Sequence, residues 1–231
     1  MSELFRFFDP GEDVAVTARR LPHWAQAGAI CFLTWRTWDS IPATALDSWF
    51  RTRSSWLAGR SINATDPQWR ERVRGLTEPE RNEFHRTVST RWHELLDCCE
   101  GECVLRRPEL AEIVAASIRH FDGDRYRVTD FVVMPNHVHI LVAFPTEAQM
   151  LAQCESWKHF TAVRLNKMLG RKGRFWQVDG FDHLVRSDQQ FDVLRDYIAT
   201  NPTRAKLRPG EFIRYSLALD HPGDGEPRLR K

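Results

Sequence analysis

Phe131-Val-Val-Met-Pro-Asn-His-Val-His-Ile-Leu-Val-Ala-Phe144 decides how this chain folds. Pro135-Asn136 is a tight-turn pair between two runs of strand formers, so Tyr126 to Met134 and His137 to Phe144 read as antiparallel neighbours. The second run has the apolar density of buried β-strand. Strand side chains alternate with period two, which sets His137 and His139 on one face and turns Val138 the other way, into a core. Two imidazoles on one face of a rigid central strand are a seat for a divalent cation.

The rest of the chain must supply the frame for that strand. Its 231 residues suit one domain with an elaboration or two small ones, and 42% hydrophobic content is enough for a real core. A net charge of +2 gives no overall case for nucleic acid, so a local patch must carry it. Five cysteines, Cys31, Cys98, Cys99, Cys103 and Cys154, form no regular framework and suit a reducing compartment. The N-terminus is too polar for a signal peptide, and no apolar run approaches a membrane span. The expectation is a soluble cytoplasmic protein with no membrane partner.

Residues 1 to 27 look irregular. Ala27 to Trp35 is the first strand, and residues 1–42 hold it together with the N-terminal segment. From Ala43 the pattern turns helical. Asp66-Pro67 reads as a cap with a first-turn proline, and Thr77-Glu-Pro-Glu80 as a capping box. The span 43–103 is therefore a helical insertion after the first strand. Pro108 opens a helix with an apolar stripe of Leu110, Ile113, Val114 and Ile118. Helices are expected from about Glu147 to Leu169 and from Asp188 to about Asn201, where Pro202 stops the second, with a short strand from Phe181 to Arg186 between them. Residues 104–215 complete the domain, and 216–231, including His221-Pro222, read as a flexible tail. Without the insertion the order is βαββαβα. The fold class is α+β, a ferredoxin-like antiparallel sheet with helices on one face.

Tyr197 and Asn201 are four apart on the last helix and share a face, about 6 Å apart along the axis. An amide oxygen can complete a two-histidine site, and a phenol one turn earlier then lies near whatever the cation polarises. A carboxamide without a thiolate fits a hard cation, Mg²⁺ or Mn²⁺. Read alone, these residues also allow a duller account: a hydrogen-bonded histidine pair, a rim tyrosine, and an asparagine that ends a helix.

At this point the chain resembles the HUH single-tyrosine transposases, and within them the REP-associated tyrosine transposases. The residues that carry the likeness are Pro135-Asn-His-Val-His-Ile140, Arg174-Phe-Trp-Gln177, Phe181-Asp-His-Leu-Val-Arg186 and Asp196-Tyr-Ile-Ala-Thr-Asn-Pro202, in matching order. Arg19-Arg-Leu-Pro-His-Trp24 is similar to the family's opening. The resemblance covers residues 18–37 and roughly 104–208. It implies that His137 and His139 are metal ligands, Asn201 the third ligand and Tyr197 the nucleophile. Insertion-sequence relatives often carry glutamine where Asn201 stands, and the helical insertion is longer than the usual connection.

Lys158, Arg164, Lys167, Arg171, Lys172 and Arg174 follow one another with no intervening acid, interleaved with Trp157, Phe160, Phe175 and Trp176. Cations among aromatic planes suit single-stranded or hairpin DNA, with Trp176 as a stacking surface and Arg19, Arg20 and Arg204 extending the basic surface. The expected activity is a DNA strand transferase that works through a 5′-phosphotyrosine and retains the bond energy. Two rivals remain, a hairpin-binding protein that cuts nothing and a metal-dependent nuclease that uses water. Monomer and homodimer are both open.

Overall fold

The structure, a computed structural model, describes residues 6–7, 15–17, 23–66, 68–178 and 181–218. Strands β1 (Ala15–Thr17) and β2 (His23–Ala25) form a small antiparallel pair ahead of β3 (Ile30–Arg36). This pair lies inside the span read as irregular: its strands are three residues long, too short for an alternating pattern to register. Helices α1 (Ala43–Ala58), α2 (Trp69–Arg74), α3 (Glu78–Phe84) and α4 (Thr90–Asp97) follow, the last two joined by a π-helical turn. They have a core of their own, built on Trp56, Leu57, Ile62, Trp69, Val73 and Val88. Half of the Thr77 box forms: Glu80 accepts from both the amide and the hydroxyl of Thr77. Pro67 lies outside the described residues, as do Arg19, Arg20 and the tail beyond Ala218.

Next come α5 (Pro108–Arg119), β4 (Arg127–Val133), β5 (His137–Ala143), α6 (Glu147–Met168), β6 (Phe181–Leu184), α7 (Asp188–Arg204) and β7 (Ile213–Ser216). Five strands form one antiparallel sheet in the order β6-β3-β5-β4-β7. The first four have the 4-1-3-2 arrangement of a ferredoxin-like sheet, and β5 is the middle strand of the five, paired on both edges. The fifth, β7, was not expected. Only Ile213 and Tyr215 alternate inward there, a signal of two residues.

The expected helix placement holds for the two crossovers and needs correction for the last helix. Val138, Ile140 and Val142 of β5 point with Cys31, Leu33 and Trp35 of β3 into the core under α5 and α6. Leu141, Ala143, Ile30 and Phe32 point the other way, where Phe191 and Ile198 of α7 cover them. Alternation on a strand that is apolar on both faces requires a cover on each, so α7 takes the face that the crossovers leave bare. Pro202 does not stop α7: the helix runs on to Arg204, and the amides of Ala205 and Leu207 donate to the carbonyls of Asn201 and Pro202 at 3.0 and 2.9 Å. A proline this near a C-terminus costs one backbone bond, and Pro202 is buried, which offsets that cost.

An arginine pins α7 in place. Its Nε donates to the buried carboxylate of Asp130 at 2.9 Å, and the Ser216 hydroxyl donates to the other oxygen at 2.6 Å. This residue, Arg195, is two positions before Tyr197. Asp130 reaches that face because a bulge between Val128 and Asp130 shifts the β4 register.

On the opposite face, Trp157 is 2% exposed, stacks on Trp35 at 5.7 Å, and donates from Nε1 to the Tyr126 hydroxyl and the Ser117 carbonyl, both at 3.2 Å. Trp157→Ala is expected to destabilise the fold by about 3–5 kcal/mol, read as a lowered urea midpoint. An unchanged midpoint would show that α6 is not integral to the core.

Candidate functional site

β5 carries both histidines on the α7 face, and both are fully buried. A buried imidazole needs partners for its nitrogens, and each finds one through Nδ1. The Nδ1 of His137 lies 2.7 Å from Oδ1 of Asn136, and that of His139 lies 2.7 Å from Oγ1 of Thr34. The Asn136 amide nitrogen donates to the Glu100 carbonyl at 2.8 Å, which turns its oxygen toward His137, so there Nδ1 carries the proton and donates. Thr34 stands directly opposite His139 in the β3–β5 register and therefore shares its face. The rings lie 4.6 Å apart at 72°.

The last helix brings the phenol to this pair. The hydroxyl of Tyr197 is 3.3 Å from Nε2 of His139, with the rings 5.1 Å apart. Phe32 stacks on His139 and meets Tyr197 edge-on, which fixes both rings from the β3 side. Asn201, one turn further on, is fully buried, and its Oδ1 is shielded from solvent, as is Nε2 of His137. The guanidinium of Arg204 lies 5.4 Å from the Tyr197 ring centre. His183 occupies the β6 position opposite Phe32.

The donors suit a cation in chemistry. Imidazoles oriented by hydrogen bonds through their other nitrogen are the usual state of ligating histidines, and a carboxamide adds a neutral oxygen. Among the described residues no three His, Cys, Asp or Glu side chains gather as a metal centre. A cation here therefore needs Asn201 or solvent oxygens beside the two imidazoles.

The basic block is distributed differently. Helix α6 packs on the other side of the sheet from the histidines, and Lys158, Arg164 and Lys167 go with it. The Lys158 ammonium donates to the Val178 carbonyl at 2.9 Å, and Arg164 lies over Phe160. Beyond the helix, Arg171 pairs with Glu102, and Lys172 is exposed. The reading of Trp176 as a stacking surface needs correction. The ring is 4% exposed and its Nε1 donates to Thr161 at 2.8 Å, so it belongs to the core with Phe175 and Trp157.

A different tryptophan is the exposed one here. Trp38 is 51% exposed, with the Arg174 guanidinium 4.6 Å from its ring centre. The backbone sets this pair at the site's end of the sheet: Thr37 donates to the Asn136 carbonyl and Trp38 to that of Phe175, both at 2.8 Å. Thr34, which the sequence reading did not single out, is the polar position in an apolar strand, and that is the signal that marks it. Trp38, beyond the strand end, gave no periodic signal.

The family described as IS200-like transposases matches residues 103–201. That segment carries the histidine pair, Tyr197 and Asn201. It bears out the resemblance drawn from the sequence, and it leaves out β3 and the helical insertion. Among solved structures, one of a REP-associated tyrosine transposase bound to a REP hairpin is similar at 14% identity. The likeness covers 89% of this chain and 95% of that chain, with a TM-score of 0.40. No curated protein matches.

Thr34→Val keeps the shape beside His139 and removes the oxygen. Leaving the buried Nδ1 without that partner is expected to cost about 1–3 kcal/mol in urea unfolding. Unchanged stability would mean that the bond does not orient the ring.

Proposed function

We propose that this chain is a transposase that cleaves and rejoins single-stranded DNA with Tyr197 as nucleophile. The single observation that carries the reading is the Tyr197 hydroxyl at 3.3 Å from His139, within the segment that matches the transposase family. In cleavage the phenol oxygen bonds to the scissile phosphorus and the bond to the 3′-oxygen breaks, which leaves a 5′-phosphotyrosine and a 3′-hydroxyl. With Nε2 of His139 reserved for a cation, the phenol proton leaves to solvent, and the departing 3′-oxygen takes a proton from solvent. Rejoining is the reverse attack by a 3′-hydroxyl, so no nucleotide energy source is needed.

His137, His139 and Asn201 would hold a divalent cation, Mg²⁺ or Mn²⁺, whose charge when bound neutralises a phosphate oxygen. Thr34 and Asn136 keep the imidazoles turned to that task, and Phe32 limits where the phenol can point. The resemblance and the Trp38–Arg174 pair together support single-stranded DNA beside a hairpin as substrate, in the cytoplasm. An exposed indole under a guanidinium offers a base a stacking plane and a phosphate a charge. Among the described residues no helix is long and apolar enough to cross a membrane.

Two tests follow. With end-labelled hairpin DNA and Mn²⁺, the wild-type chain should give a denaturant-resistant adduct that chelation or Tyr197→Phe abolishes, while the phenylalanine variant binds DNA within about threefold of wild type. Cleavage that survives Tyr197→Phe identifies a water-using nuclease, and binding without any adduct identifies a hairpin-binding protein. Trp38→Ala should weaken single-strand binding by about 1–3 kcal/mol in a fluorescence titration. Unaltered affinity would remove Trp38 from the DNA path.

A further inference from the structure

The last residue of β3 is a buried cation that the chemistry above does not use. Arg36 stands opposite His137 in the strand register, and Thr34, two residues before it, touches His139, so Arg36 shares the histidine face. It is 8% exposed. Its Nη1 donates to the hydroxyl of Ser40 at 3.0 Å, and the guanidinium lies 5.4 Å from the ring centre of Trp92. Among the described residues no carboxylate pairs with it. Burial lowers its pKa to about 10, and it remains charged at neutral pH. A desolvated guanidinium held by one neutral hydroxyl and one indole face is costly to a fold, and it has donors to spare for an anion.

The helical insertion holds this arginine from one side. Trp92 belongs to α4 and packs on Trp49 of α1 at 4.7 Å, so the indole is fixed by two insertion helices. The insertion's ends are tied together beside the site. The Asp39 carboxylate accepts from the Glu102 amide at 2.8 Å, and Gly101, at φ +88°, lies where a Cβ would meet the Asp39 carbonyl at 2.6 Å. The Glu100 carbonyl holds Asn136, and Asn136 holds His137.

We infer that Arg36 takes a non-bridging oxygen of the phosphodiester brought to Tyr197, and that the insertion serves as the splint that presents its guanidinium through Trp92. This deepens the strand-transferase reading and rests on it. The fork geometry of a guanidinium suits two phosphate oxygens, which a lysine in the same place would not match.

The test begins with inorganic phosphate, measured by calorimetry on the full chain. Arg36→Gln should weaken phosphate binding by about tenfold or more, with Arg36→Lys intermediate and Trp92→Leu weaker than wild type. Equal affinity in wild type and Arg36→Gln, or no millimolar phosphate binding by wild type, overturns the inference. With hairpin DNA at concentrations that saturate binding, Arg36→Gln should slow adduct formation by about a hundredfold. A lowered melting temperature with phosphate affinity and adduct rate unchanged assigns Arg36 a purely structural role and also overturns it. Should Arg36→Gln fail to fold, Arg36→Lys and Trp92→Leu decide by the same two measurements. An Arg36-dependent phosphate site in a wild-type chain that never forms an adduct sinks the transferase reading and leaves the anion site standing.

Discussion

A central strand covered on both faces has no water to offer its side chains, and the site follows from that constraint. Along β5, every residue from His137 to Ala143 is buried. The apolar ones are at home there. The two imidazoles are tolerated only because the neighbouring strand and the preceding turn supply oxygens at hydrogen-bond distance, Thr34 to one ring and Asn136 to the other. Each ring is thus oriented through Nδ1 before any ligand arrives. The two Nε2 atoms, rather than the Nδ1 atoms, are the ones the site has to offer.

The phenol's position has a separate cause. Were α7 held only by its apolar contacts, it could slide along the sheet, since apolar packing is weakly directional. The Arg195–Asp130 pair, with Ser216 as a second donor to the carboxylate, sets its longitudinal position two residues before Tyr197. A pair this buried contributes placement more than stability, because desolvating both charges offsets most of their attraction. Tyr197 then meets an Nε2 whose lone pair serves one partner at a time. Coordination at His139 and proton acceptance by it therefore exclude one another, and in the proposed chemistry the phenol proton goes to solvent.

Where period alone decides an element, the sequence was a sufficient guide. The turn at Pro135-Asn136, the alternation through His137 and His139 and the apolar stripe of α5 all emerged as read. The misplaced features have physical reasons. β7 and the β1–β2 pair are too short for alternation to exceed chance, and their pairing is decided by tertiary contact. A proline one turn from a helix end looks like a terminator in sequence, yet the helix needs only that the bond it forfeits be affordable. Trp176 looks like a ligand surface because it stands among cations, but a strand-end bridge from Thr37 to Trp176 turns the ring into the core. Thr34 and Asn136 are polar residues in or beside apolar runs; only the register shows that Thr34 is opposite His139, and only the fold shows that the Asn136 side chain turns to His137.

Charge sets a further condition on how DNA would approach. With a net charge of +2, the molecule has little long-range field with which to draw in a polyanion. Lys158, Arg164 and Lys167 ride on a helix across the sheet from the phenol, away from a strand bound at Tyr197. In the proposed reaction the strand is guided locally, at the β3 end of the sheet, where Trp38 and Arg174 are exposed and Arg36 is buried. Stacking and a few charge contacts then replace a broad basic face. Binding of this kind should depend on strand shape and base exposure more than on salt, because few counterions are displaced when few phosphates are neutralised.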